Sequence, residues 1–137
     1  MTLQPMNIQP IVKYFLLAED YALDEENPLF FNLFHILSGI HSVDSPPFPI
    51  LVDQIFCVVG LTDGRGKGIA QVVCLEEETG LPLFGSPPHE VDLGFTPLEV
   101  KVVGFRILDC QFPRPGTYSF EFSWNGQTLI AYTMRVR

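Results

Sequence analysis

The sequence predicts an all-β domain, an antiparallel β-sandwich of about eight strands. Three observations carry this. Tyr118, Phe120, Phe122 and Trp124 alternate with Thr117, Ser119, Glu121 and Ser123, the period of two of a half-buried strand. Asn125-Gly126 follows, the dipeptide that most readily adopts the positive φ of a type I′ turn, and Ile130, Tyr132, Met134 and Val136 resume the alternation on the return. Upstream, turn signals recur every ten to fifteen residues between segments rich in Val, Ile, Phe and Leu.

Taken in order, a first strand is expected near Ile11 to Glu19, followed by the acidic turn DYALDEENP, where Asn27-Pro28 breaks any continuing helix. A helix over Tyr14 to Glu26 is the competing reading, from its Leu, Ala and Glu content. The missing N-cap and the Ile-Val-x-Tyr-Phe opening favour strand. A second strand spans about Leu29 to Ile40, and SVDSPPFP is a stiff connection. The third, Val52 to Leu61, places Ile55, Cys57, Val59 and Leu61 on one face. TDGRGKG then makes a hairpin loop into a fourth strand, Ile69 to Glu77. The Pro- and Gly-punctuated stretch LPLFGSPPHEVDLGFTP reads as a long crossover with a short strand around Glu90 to Leu93. Leu98 to Leu108 precedes the closing hairpin, with Val103, Phe105 and Ile107 on one face. Residues 1–137 carry no internal repeat and read as a single domain.

The 137 residues suffice to bury roughly 65 to 70 % of the unfolded surface. An apolar fraction of 47 % with twelve Phe supplies a large aromatic core without staples. Sixteen acidic against eight basic side chains give a net charge of −8, which repels phosphate backbones and anionic lipid, so nucleic-acid binding is disfavoured. The amino terminus lacks the basic region and cleavage site of a secretory signal. The longest apolar candidate, Leu29 to Leu37, is too short to span a bilayer and is interrupted by Asn32 and His35. Cys57, Cys74 and Cys110 are odd in number and widely spaced, which favours reduced thiols and a cytoplasmic location over a disulfide framework.

Several motifs are ordered along nearly the whole chain: Leu17-Ala18 and Asp20-Tyr21-Ala22, an acidic turn, Phe31-Asn32, Phe48-Pro49, and an ending with Pro115, Gly116, Tyr118, Phe120 and Gly126. In this order they resemble a family of small bacterial domains of unknown function. Glu19 is inserted in the first motif, and His35 stands where the family pattern commonly has Gly, a change that bears on a bulge. The resemblance implies an antiparallel sandwich, immunoglobulin-like or C2-like in layout, and supplies no activity.

Candidate chemistry is sparse. GLTDGRGKG lacks the G-x-x-x-x-G-K-[ST] spacing of a phosphate-binding loop: Leu61 stands five residues before Gly66, and Gly68 follows Lys67 where a hydroxyl is needed. The acidic cluster, with Asp20, Asp24 and Glu26 as the foremost residues, offers oxygens for Ca²⁺ without the EF-hand spacing, and a solvated turn is favoured. His35, His41 and His89 lack zinc spacing, so no metal and no cofactor is expected. Cys57 and Cys74 sit in apolar strand interiors, where burial suppresses the thiolate. The expectation is a non-catalytic binding or assembly module. The alternative is a hydrolase-type enzyme built from dispersed His35, His41, Asp44, Asp53 and His89. Apolar residues on both faces of the second strand suggest either cover by residues 81–97 or self-association as a homodimer, with Phe30 and Phe34 as interface candidates.

Overall fold

The computed structural model describes residues 7–23, 25–26, 31–41, 48–96 and 98–137, and among them it is built from strands without a helix. The described residues form ten strands: β1 (Ile11–Leu23), β2 (Phe31–Ile36), β3 (Gly39–Ile40), β4 (Ile50–Thr62), β5 (Lys67–Glu76), β6 (Pro82–Gly85), β7 (His89–Asp92), β8 (Lys101–Phe112), β9 (Gly116–Trp124) and β10 (Gln127–Val136). They form two sheets packed face to face. Sheet A has the order β2-β1-β4-β8, antiparallel throughout. Sheet B has the order β3-β10-β9-β5-β6, with β7 also pairing β5 and with β3 running parallel to β10.

The closing hairpin is as the sequence predicts. Asn125 and Gly126 have φ of 51° and 83°, and β10 pairs β9 from Gln127↔Trp124 to Val136↔Gly116. Tyr118, Phe120, Phe122 and Trp124 enter the core between the sheets, where they meet Leu17, Ile55, Cys57, Val59, Phe105 and Phe112. Ring pairs lock the layers edge to face, Phe112 with Tyr118 at 5.0 Å and Phe84 with Phe112 at 5.3 Å between centroids.

Four expectations are corrected. The single second strand over Leu29 to Ile40 is broken: β2 pairs β1 in sheet A, whereas β3 joins the edge of sheet B. The crossing lies at Leu37, whose N–H donates to Leu17 O and whose carbonyl accepts the Tyr132 hydroxyl at 2.6 Å. Polar satisfaction by two sheets at once holds that corner. Residues Asp20 to Leu23 continue β1 rather than beginning a turn, because β2 returns alongside them. The TDGRGKG loop joins β4 of sheet A to β5 of sheet B, so it is an arch between the sheets and not a hairpin; strands flank it on both sides. Finally, the strands formed within residues 81–96 lie away from β2. β6 and β7 both pair β5, at the opposite edge of the sandwich, and Phe84 plugs the core there.

Candidate functional site

The sequence-predicted polar residues are not gathered. His35, on β2, is hydrogen-bonded to Glu19 on β1, Nδ1 to Oε2 at 2.7 Å. His89, on β7, stacks on the Phe105 ring at 5.2 Å. His41 follows β3 in sheet B, and Asp53 is an exposed residue of β4. Asp44 lies outside the described residues, as do Asp24 of the acidic cluster and the interface candidate Phe30. Among the described residues no group of three His, Cys, Asp or Glu is placed to hold a metal ion. Asp20 uses Oδ1 to accept the N–H of Tyr21. All three cysteines are free and buried. Burial pushes the thiol of Cys110 up to about 12 and those of Cys57 and Cys74 higher still, which leaves them without a nucleophilic thiolate.

The feature that sequence reasoning missed is the outer face of sheet A. Its inner residues on β4 are Ile55, Cys57, Val59 and Leu61, as expected, so Phe56, Val58 and Gly60 point the other way. Directly opposed residues share a face, and the register therefore writes that face out in rows. One row is Ile36, Ala18, Phe56 and Arg106; the next is Leu16, Val58 and Gly104; the third is Tyr14, Gly60 and Val102. Arg106 is the single charge in all three. By contrast, the outer rows of sheet B read Val73, Glu121, Ala131 and Leu75, Ser119, Thr133, the mixed pattern of a solvated face.

Two glycines flatten the face. A Cβ on Gly60 would lie 2.5 Å from the Tyr14 ring, and one on Gly104 would lie 2.5 Å from the Phe56 ring, so each ring lies down across a bare backbone. Tyr21 then stacks on Phe56 at 3.9 Å with 15° between planes, and the Arg106 guanidinium sits 5.4 Å over the Tyr21 ring. Between these rings Val58 is only 1 % exposed, although it faces away from the inter-sheet core. At the margins the cover fails. Ile36 is 56 % and Leu108 59 % exposed, the latter opposite Gln54 of β4, and Leu51 of β4 is 62 % exposed.

The signal in the sequence was ILVDQIFCVVGL, a near-continuous apolar run of the kind found in strands covered on both faces. β4 is thus a strand with apolar residues on both faces. Phe34, on β2 opposite Asp20, is 47 % exposed beside this face and not at its centre.

No curated protein matches the sequence. Among solved structures, the chain is similar to the β-D-glucoside glucohydrolase from Trichoderma reesei, with a TM-score of 0.52 and 9 % identity over 95 % of this chain. The chain spans 19 % of that protein's length, and the likeness shows the fold alone. A family described as a family of unknown function has a sequence profile that matches residues 13–137. The protein belongs to this family of unknown function, DUF6941.

Proposed function

We propose that the protein is a non-catalytic binding or assembly module whose working surface is the outer face of sheet A. The observation that carries this reading is the apolar character of that face, three ladder rows with one charged residue, on a chain whose other outer face is mixed. The centre of the face is closed by its own rings, and the apolar side chains it exposes stand at the margins, Ile36, Leu51 and Leu108; exposed apolar area bordered by polar residues is the usual mark of an interaction surface. Nearby charge supplies such a border: Glu19, Asp20, Asp53 and Asp109 are exposed around one end. The flat rings favour a flat protein partner over a ligand that needs a cleft.

The layout that best suits the strand order is immunoglobulin-like. β3 runs parallel to the last strand, and the Tyr118 hydroxyl donates to Arg114 O at 2.6 Å, back across the corner that opens β9, as in the tyrosine corner of such sandwiches. Free buried thiols fit a reducing compartment, and no helix of the described residues is long and apolar enough to cross a membrane. The hydrolase reading gains no comparable support, since His35 lies on β2, His41 after β3, Asp53 on β4 and His89 on β7, and the described contacts of His35 and His89 run to Glu19 and Phe105 rather than to one another.

The test is site-specific photo-crosslinking in the native cell. A benzophenone amino acid at Leu108, on the outer face of sheet A, is expected to give a defined protein adduct, and the same group at Thr133, on the outer face of sheet B, is expected to give none. Equal labelling from both faces, or none from Leu108, would overturn the reading.

A further inference from the structure

We propose that the open edge of β8 is an interface separate from the outer face of sheet A, where a second copy of this chain adds its own β8 antiparallel about a twofold axis at Phe105. Two four-stranded sheets then join into one continuous sheet.

A strand with an open side offers a row of backbone N–H and C=O groups to any other strand, and sheets blunt such edges by keeping them short, charged or bent. Three of the four edges in this molecule are short: β2 has six residues, β3 has two, and β6 and β7 have four each. β8 has twelve, contains no proline and pairs only β4. Among the described residues no backbone hydrogen bond reaches its other side.

The devices that would blunt this edge stand aside from its middle. Lys101 opens the strand, and Asp109, left-handed with a φ of 55°, interrupts it near its end. Between them Val102 to Leu108 is a regular stretch with one charge, Arg106. That charge does not guard the edge, because its guanidinium lies over the Tyr21 ring of β1, turned back across β4 and away from the open side. Leu108, on this edge, is 59 % exposed.

A second copy is the occupant because the stretch complements itself in one register and not in the neighbouring ones. A twofold perpendicular to the sheet keeps outer face beside outer face, and directly opposed residues share a face, so the axis passes through a residue and not between two. At Arg106 it would oppose Arg106 to itself. At Gly104 it would oppose Lys101 to Ile107 and bring Glu99 to the level of Asp109, acid toward acid. At Phe105 it opposes Val102 to the exposed Leu108, sets Arg106 beside the bare backbone of Gly104, and brings Lys101 to the level of Asp109 at each end of the paired stretch. Opposite charges then meet twice, and the exposed leucine is covered.

The experiment is sedimentation equilibrium on the full chain from about 1 µM to about 1 mM, a range that spans the affinities of small interfaces, with circular dichroism as the check of folding for each variant. The unmodified protein is expected to pass from its chain mass of 15.4 kDa to twice that mass across the range. Its amides from Val102 to Leu108 are expected to exchange hydrogen more slowly as the concentration rises. Leu108→Ser is expected to weaken the dimer by about fivefold or more, whereas Ile36→Ser, at the opposite margin of sheet A, is expected to leave it unchanged. Lys101 and Asp109 of one chain stand about 26 Å apart along the strand, so coupling between them must run across the axis. Asp109→Asn, which keeps a residue tolerant of the left-handed conformation, is therefore expected to weaken the dimer of the unmodified chain and to strengthen that of Lys101→Glu.

A single species of 15.4 kDa throughout the range would overturn the proposal. So would a dimer whose β8 amides exchange as fast as those of the monomer, one indifferent to Leu108→Ser or as sensitive to Ile36→Ser, or an Asp109→Asn effect of the same sign in both backgrounds. The edge and the outer face fail separately: a monomeric chain whose Leu108 crosslinker captures a different protein loses the edge pairing and keeps the binding face.

Discussion

Glu19 Oε2 and His35 Nδ1 lie 2.7 Å apart, a side-chain contact that ties β1 to β2. His35 has a φ of 56°, a left-handed conformation that Gly adopts without strain. Glu19 on one strand and the left-handed His35 on the other occupy the same level of the ladder, between Ala18↔Ile36 and Asp20↔Phe34. Just there β1 parts from β4, and Gln54 Nε2 bridges the gap by donating to Glu19 O at 3.2 Å. The kink carries Tyr21 onto the outer face, where it covers Phe56.

His35→Gly should therefore fold at least as well as the unmodified chain. Relief of the left-handed strain, about 1 kcal/mol, offsets the added chain entropy and the loss of an exposed hydrogen-bonding contact with Glu19. His35→Ala keeps the strain and loses the pair, so it should be about 1 kcal/mol less stable than His35→Gly in urea titration. Equal stability of the two variants would remove the backbone argument.

Acid should loosen the end of the sandwich where β5 runs out. Glu76 is 3 % exposed, and its carboxylate accepts from Arg114 Nε at 2.7 Å and Nη2 at 3.0 Å, with Thr79 Oγ1 donating at 3.1 Å. The Arg114 hydrogen bonds hold its pKa below the ordinary glutamate range, against the opposing effect of desolvation. A carboxyl whose folded pKa is depressed stabilises the fold above its unfolded pKa, and that stability is lost as pH falls through the folded value. Thermal midpoints should accordingly fall as the pH is lowered from the ordinary glutamate value of about 4.3. Arg114→Met should lower the midpoint at neutral pH and flatten that acid dependence, while the Tyr118 hydroxyl, bonded to the Arg114 backbone, stays in place. An acid dependence left unchanged by Arg114→Met would assign it to other carboxylates.

How far the sequence could be read follows from what each signal encodes. The β9–β10 hairpin was legible because alternation, register and turn residue all pointed the same way, and Asn125 does more than turn: its Oδ1 accepts the N–H of Ile69 at 2.8 Å, tying the hairpin to β5. The break between β2 and β3 was not legible, since His35-Ile36-Leu37-Ser38 carries no Gly or Pro, and a tyrosine 95 residues away holds the corner at Leu37. On β4, period-two reading correctly picked Ile55, Cys57, Val59 and Leu61, and for that same reason passed over Phe56 and Val58 between them. Short strands such as β6 and β7 exist only because β5 offers them an edge.

The thiols should be chemically silent. Cys57, Cys74 and Cys110 are wholly buried in the core; desolvation does most to raise Cys57 and Cys74, and the field of neighbouring thiols adds to it. With Cys110 at about 12, a disulfide reagent at pH 8 should label none of the three in the native protein within minutes and all three in denaturant. Rapid labelling of one thiol without denaturant would mean that a part of the core opens far more easily than its packing implies.

An added methyl should cost different amounts at Gly60 and at Gly104. Neither has a positive φ, so the constraint on them is space alone. Alanine at Gly104 would drive its methyl against the Phe56 ring, and alanine at Gly60 against Tyr14. Overpacking of this kind costs typically about 1 to 3 kcal/mol where the neighbour cannot yield. Phe56 is pinned beneath Tyr21 and Arg106, so Gly104→Ala must lift the whole stack. Tyr14 is half-buried at the surface, where its ring can swing outward at less expense. Gly104→Ala is therefore expected to be the more costly change, and to alter the near-ultraviolet dichroism of tyrosine as Tyr21 leaves Phe56. Tyr21→Ala in the Gly104→Ala background should recover part of the loss, because the displaced Phe56 ring then has room to rise. If the double variant is less stable than Gly104→Ala alone, the stack is not what confines Phe56.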